Sequence, residues 1–164
     1  MTGWWATKVR QFYRHLFGRV RAGERAALQG WLTGDQLALF DSMHRADRRH
    51  GLDVVRVLRA AGHDDADVLL AGLLHDSGKG RDVGVWHRVG WSLAVRYGPR
   101  VRSIVVRLPG FGRAFATLDA HAQVSAELAL AAGCSVRCAE LIRHQDEPID
   151  GTLGEALRLA DEAS

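Results

Sequence analysis

An all-α domain is the fold class that this sequence predicts, on three observations. Apolar residues recur at helical spacing in most windows of the chain. Clusters of β-branched residues are scarce, and no Asn-Gly or Asp-Gly hairpin turn lies between alternating apolar runs. The length of 164 residues suits one domain, and 47% hydrophobic with 25% charged residues is ordinary for a globular protein. We therefore expect a single helical core.

Residues 1–43 are predicted to form a helical extension that packs on the domain. A first helix is expected over 4–21, with an apolar stripe of Trp5, Val9, Phe12, Leu16 and Val20. Basic residues cover much of its remaining surface, so contact with a membrane surface is an alternative to packing the stripe on the domain. A second helix starts near Glu24, and a third, capped by Thr33, runs through 34–43.

The domain proper is predicted over 44–164. A helix over 46–62 ends at Gly62 and places four residues on one face, namely His50, Val54, Val57 and Ala61. The segment 64–80 begins with acidic residues that suit a helix N-terminus and stops at glycine. Residues 84–107 follow, broken near Pro99.

The remaining segments are a loop over 108–112 and helices over 119–132, 135–145 and 153–163. Cys134 and Cys138 lie four residues apart, a poor spacing for a disulfide within a helix, so we interpret them as small packing residues.

His75 and Asp76 end the apolar run "LLAGLL" and are predicted to be buried. A buried carboxylate needs a cation or several hydrogen-bond donors, and the Ser-Gly-Lys-Gly that follows opens the helix end. Four more polar residues share helix faces with apolar ones, namely His50, His121, His144 and Asp161. One or two divalent ions would satisfy this set.

The order of these residues resembles the HD-domain superfamily of metal-dependent phosphohydrolases. "LLAGLLHDSGK" is similar to the central signature of that family, and the resemblance covers about residues 44–163. "LDAHAQVSAELA", "LIRHQDEP" and "ALRLADEAS" are similar to the subset with two metals, which includes dinucleoside tetraphosphate hydrolases and cyclic-dinucleotide phosphodiesterases. Gln145 stands where the phosphodiesterases often have a second histidine, and no GYP sequence occurs, which argues against cyclic-dinucleotide cleavage.

The resemblance implies an HD-domain helical bundle with two transition-metal ions, of Fe, Mn, Co, Ni or Zn. The first ion would be held by His50, His75, Asp76 and Asp161. The second would be held by His121 and His144, with Asp76 bridging the two.

The implied reaction is attack of a metal-activated water on a phosphoester or phosphoanhydride, with Asp76 and Lys79 as catalytic residues. Lys79 and Arg88 would bind the phosphate groups of the substrate.

We expect the substrate to be a nucleotide. Two alternatives stay open, a di-iron oxygenase of the same fold and a nucleotide-sensing regulatory module. No specific nucleic-acid partner is expected, because the sequence contains no recognised binding motif. The chain has no apolar run of membrane-spanning length and no secretory signal, which predicts a cytoplasmic protein.

Overall fold

A computed structural model describes residues 18–81 and 83–164, and every regular element in these residues is helical, as predicted. The elements are α1 (Ala22–Leu28), α2 (Gly34–Ser42), α3 (Arg45–Ala60), α4 (Ala66–Leu74), a 3-10 turn (Ser77–Lys79), α5 (Val85–Tyr97), α6 (Pro99–Val105), α7 (Phe111–Ala131), α8 (Val136–Arg143) and α9 (Gly151–Ala163). None of these helices is both long and apolar enough to cross a bilayer.

Side-chain caps fix several of these helix starts. The Thr33 hydroxyl accepts a hydrogen bond from the backbone N–H of Gln36, which confirms the predicted cap of α2. Asp65 accepts from two backbone N–H groups at the start of α4, and Ser135 accepts from the backbone N–H of Cys138 at the start of α8. Each cap satisfies donors that have no partner within the helix.

Helix α4 is the centre of the fold. Every residue from Val68 to Leu74 is buried, and α4 packs against α3, α8 and α9. A helix that is apolar on all sides must be covered on all sides. Its C-terminal end therefore lies inside the bundle, and His75 and Asp76 follow directly after it.

Two glycines allow the backbones around this end to approach closely. A Cβ atom added at Gly51 of α3 would lie 2.4 Å from the carbonyl oxygen of Leu73 in α4. A Cβ atom at Gly78 would lie 2.5 Å from the carbonyl oxygen of His121 in α7. Both contacts are closer than a side chain permits. Gly51 therefore allows α3 to approach α4, and Gly78 allows the 3-10 turn to approach α7.

The helices of residues 22–43 pack on the predicted domain. Leu28, Phe40 and Met43 belong to the same hydrophobic core as Leu58 and Ile142. The predicted helix over 4–21 lies outside the described residues up to position 17. Residues 18–21 are not helical. The carboxylate of Glu24 accepts the backbone N–H of Arg21, directly before α1 begins at residue 22.

Some predicted boundaries were wrong. The helix expected from 119 begins at Phe111, which shortens the loop expected over 108–112. In the segment 64–80 the helix covers Ala66–Leu74 and ends just before His75, ahead of the Ser-Gly-Lys-Gly sequence predicted to open it. Gly110, at φ 82°, directly precedes α7, and the ring of Phe111 packs against the ring of Phe115. Ala61, predicted on the buried face of α3, is exposed. Cys134 and Cys138 are free and buried, as expected of packing residues.

Candidate metal centre

Three helices bring imidazole and carboxylate groups to the end of α4. His50 comes from α3, His75 and Asp76 follow α4 directly, and Asp161 comes from α9. Asp161 Oδ1 lies 2.6 Å from His50 Nε2 and 3.4 Å from His75 Nε2. His75 Nε2 lies 3.4 Å from Asp76 Oδ1. Asp161 therefore contacts both histidines, whereas the group with metal-ligand spacing comprises His50, His75 and Asp76.

The donor set fits a divalent transition-metal ion. One ligand atom from each of His50, His75 and Asp76 lies within 4.8 Å of the other two. His75 Nδ1 lies 3.0 Å from the carbonyl oxygen of Gly72, a contact that makes Nδ1 the donor and leaves the lone pair of Nε2 facing the cluster. Mixed imidazole and carboxylate ligands suit Zn, Fe, Mn, Co or Ni. The cluster could hold a metal ion.

Asp76 supplies the most direct sign that a cation belongs here. Its Oδ1 atom is buried and has no hydrogen-bond partner among the described residues. Lys79 Nζ lies 2.6 Å from this oxygen, an ion pair whose angles do not make a hydrogen bond. A buried carboxylate needs a positive charge beside it, and Lys79 supplies that charge here in the place where a metal ion could also bind.

The pKa values of His75, Asp76 and Asp161 also indicate that this cluster attracts positive charge. Burial is the largest influence on the pKa of His75 and opposes protonation, but the carboxylates of Asp76 and Asp161 together outweigh it and raise the pKa to about 9. Burial also opposes ionisation of Asp76 and Asp161, but the charges and hydrogen bonds of neighbouring residues outweigh burial and lower both pKa values. For Asp76 the largest lowering cause is the charge of Lys79, and for the pKa of Asp161 it is the hydrogen bond with His50. Without a metal, the site draws a proton onto His75.

His121, predicted for the second ion, lies at the edge of this cluster. Its Nε2 is 4.0 Å from Asp76 Oδ1. Its Nδ1 lies 2.5 Å from the carbonyl oxygen of Leu118, and its Nε2 lies 2.8 Å from the side-chain nitrogen of Gln145. With Nδ1 as donor, Nε2 accepts from the Gln145 amide, so the ring is neutral. Burial is the main cause of the lowered pKa of His121, and it favours the same form.

His144, the other residue predicted for the second ion, follows the last residue of α8. Its Nε2 lies 3.6 Å from Glu140 Oε2, and it is not part of the ligand group found among the described residues. Its neighbour Gln145 is the residue that reaches His121. The second ion therefore stays a prediction. Gln145 was noted in the sequence only as a departure from the family pattern, and no other signal marked it as a contact of His121.

The two predicted phosphate-binding residues have different surroundings. Lys79 ends the 3-10 turn, and 20% of its side chain is exposed beside Asp76. Arg88 forms a bidentate pair with the buried Asp47, at 2.5 and 2.7 Å, and its Nε donates to the carbonyl oxygen of Val83. The role of Arg88 in substrate binding stays a prediction, with most of its guanidinium already engaged. Sequence reasoning did not single out Asp47, although it lies one turn before His50 on α3.

A hydrogen bond from α7 holds the turn that carries Asp76 and Lys79. The backbone N–H of Gly78 donates to Ser125 Oγ at 2.8 Å, and Ser125 is fully buried. Ser125 lies four residues after His121, so one face of α7 fixes the turn and presents the histidine.

Comparison with known protein families, with curated proteins and with solved structures finds no match for this chain.

Proposed function

We propose that this protein is a metal-dependent hydrolase of phosphoester or phosphoanhydride bonds, of the HD-domain type, with a nucleotide as its substrate. The observation that carries the proposal is the grouping of His50 and His75 around the buried carboxylate of Asp76, with Asp161 in contact with both histidines. The likeness of "LLAGLLHDSGK" to the family signature supports the choice of phosphate chemistry.

His50, His75, Asp76 and Asp161 would hold the ion. A divalent transition metal supplies a lowered pKa for water and charge neutralisation at phosphate oxygens. The protein contributes the orientation of its ligands. Gly72 fixes the ring of His75 through Nδ1, and the buried residues Val68 to Leu74 hold the end of α4 that precedes this ring.

Lys79 would bind a phosphoryl oxygen of the substrate. Its ammonium group already lies against one carboxylate oxygen, and it is the residue of this cluster that the 3-10 turn brings partly to the surface. A cation at the Asp76 carboxylate would compete with Lys79 for that oxygen, which would leave the ammonium group to pair with the substrate.

His121 is a neutral base next to the proposed reaction centre. Its Nδ1 proton is held by the carbonyl oxygen of Leu118, so protonation can occur only at Nε2, where Gln145 now donates. If the Gln145 amide turned away, Nε2 would accept a proton from the attacking water or pass one to the leaving oxygen.

The test is metal content together with turnover. The full-length protein is loaded with Mn or Fe, its metal content is measured, and it is assayed on an aryl phosphodiester and a panel of nucleotides. We expect Asp76→Asn to lower turnover by at least about 100-fold with unchanged helical content, because it removes the ligand charge. The matched control, Asp146→Asn, alters an exposed carboxylate and should leave turnover unchanged.

Three results would contradict the proposal. One is the absence of bound metal after loading, and another is full turnover by the Asp76→Asn variant. The third is oxygen consumption by the Fe-loaded protein without hydrolysis, which would favour the oxygenase instead. Metal content near one ion per chain would restrict the site to the four assembled ligands, whereas a value near two would bring in His121 and His144.

A further inference from the structure

The outward face of α6 and of the turn after it is not a typical polar surface. Three exposed residues of α6 lie at i, i+3 and i+4, namely Arg100, Ser103 and Ile104, and two more, Arg107 and Leu108, are exposed in the turn after it; we call these five residues the α6 stripe. Ile104 is 67% exposed and Leu108 is 50% exposed. A helix face that points to water is normally polar. The exposure of Ile104 and Leu108 therefore requires an explanation.

Further exposed hydrophobic residues lie near the stripe in the sequence. Six of the twelve exposed large hydrophobic residues in the described part of the chain lie within 86–108. These are Trp86, Val95, Tyr97, Ile104, Val106 and Leu108. Singly exposed apolar residues are normal, but this concentration on one helical hairpin, α5 and α6, is typical of an interaction surface.

The same hairpin carries only positive charge. From 83 to 118 the sequence contains six arginines and no aspartate or glutamate. Arg88 and Arg102 are paired with Asp47 and Asp119, which lie outside this segment. Two arginines of the stripe, Arg100 and Arg107, form no ion pair with a described carboxylate, so their charge is available to an anionic partner.

We propose that the α6 stripe docks this protein on an anionic lipid surface. Exposed aliphatic side chains interspersed with arginines suit the boundary between lipid headgroups and acyl chains. The arginines would pair with anionic headgroups, and Ile104 and Leu108 would enter the apolar region.

Nucleic acid fits these residues less well. It would use the arginines, but it offers no apolar layer for Ile104 and Leu108, and base stacking requires aromatic rings. The proposal concerns a different surface from the metal centre, and it also differs from membrane contact by the predicted helix over 4–21.

The test is vesicle co-sedimentation of the full-length protein. We expect binding to phosphatidylcholine vesicles that contain phosphatidylserine, weak binding to pure phosphatidylcholine, and loss of binding in high salt. Ile104→Glu should weaken binding at least about ten-fold, because an apolar contact is replaced by a repelled charge. Arg107→Gln should weaken it about five-fold.

Ile149→Glu is the matched control, because Ile149 is 68% exposed and receives the same change of charge outside the hairpin. Circular dichroism and thermal unfolding would confirm that all variants are folded. Equal vesicle binding by the wild type and by the Ile104→Glu variant would overturn the proposal and assign any binding to another segment. Binding to DNA that Arg107→Gln weakens and Ile104→Glu does not, without vesicle binding, would also overturn it. So would a dimer that Ile104→Glu dissociates in the absence of vesicle binding.

Discussion

The affinity of the candidate centre for a metal ion should depend steeply on pH, and His75 should be the reason. Its pKa is raised to about 9 without metal, whereas a metal ligand must be deprotonated. At about pH 7 only about 1% of His75 is neutral, which lowers the apparent affinity about 100-fold, on the order of 3 kcal/mol. Affinity for Mn or Zn should therefore rise about ten-fold per pH unit from about pH 6.5 towards 9.

The stability of the metal-free protein should have the opposite pH dependence and should fall as the pH rises. Because the folded pKa of His75 lies above the unfolded value of 6.5, protonated His75 stabilises the metal-free fold at pH below 6.5. This contribution is lost as the pH rises through about 9. The increase in Tm that the metal causes should consequently grow with pH.

Calorimetric titration in buffers of different ionisation enthalpy would measure both the affinity and the release of one proton per ion. NMR titration of the metal-free protein would follow the His75 ring directly. Asp161→Asn should lower the pKa of His75 by about one unit, because it removes one of two neighbouring carboxylates. Glu147→Gln, at an exposed carboxylate, should leave it unchanged. A metal affinity that does not vary with pH, or a His75 ring that titrates near its ordinary pKa, would refute this reasoning.

Three further predictions concern the stability of the fold, each measured by urea unfolding. Gly78→Ala should lower the free energy of unfolding by about 1–3 kcal/mol, because its Cβ would overlap the backbone of α7 at His121; an unchanged midpoint would mean that the turn can move away. Asp47→Ala should cost about 3 kcal/mol, since it leaves the guanidinium of Arg88 unpaired, and equal stability would show that water replaces the pair. Asp65→Ala should cost about 1 kcal/mol through loss of the α4 cap, whereas Asp65→Asn should retain most of it.

The helices and half of the site could be predicted from local pattern. Periodicity and caps such as Thr33 located the helices within a few residues. The "HD" pair at the end of a buried run indicated the cluster, and the apolar faces that carry His50 and Asp161 indicated which side chains join it. These inferences hold because helical geometry fixes the direction of a side chain relative to its neighbours.

The same reasoning carries less information where a residue lies beyond the end of a helix. His144 was given a direction from the periodicity of α8, but α8 ends at Arg143, and His144 has φ −107° and ψ 26°. Helical spacing no longer governs its side chain, and the next residue, Gln145, is the one that contacts His121. The engagement of Arg88 was missed for another reason, since its partner lies 41 residues away in sequence and local pattern carries no information on that contact.

The burial of α4 has a consequence for how the centre can move. Helices at the surface of a protein fray and reopen without loss of the whole structure, but a helix enclosed by its neighbours opens only when the entire bundle unfolds. The backbone amides of 71–75 should accordingly be among the slowest to exchange with deuterium. His75 thus has a fixed position, and any adjustment that admits or releases a ligand must come from the turn at Gly78 and from the elements that surround it.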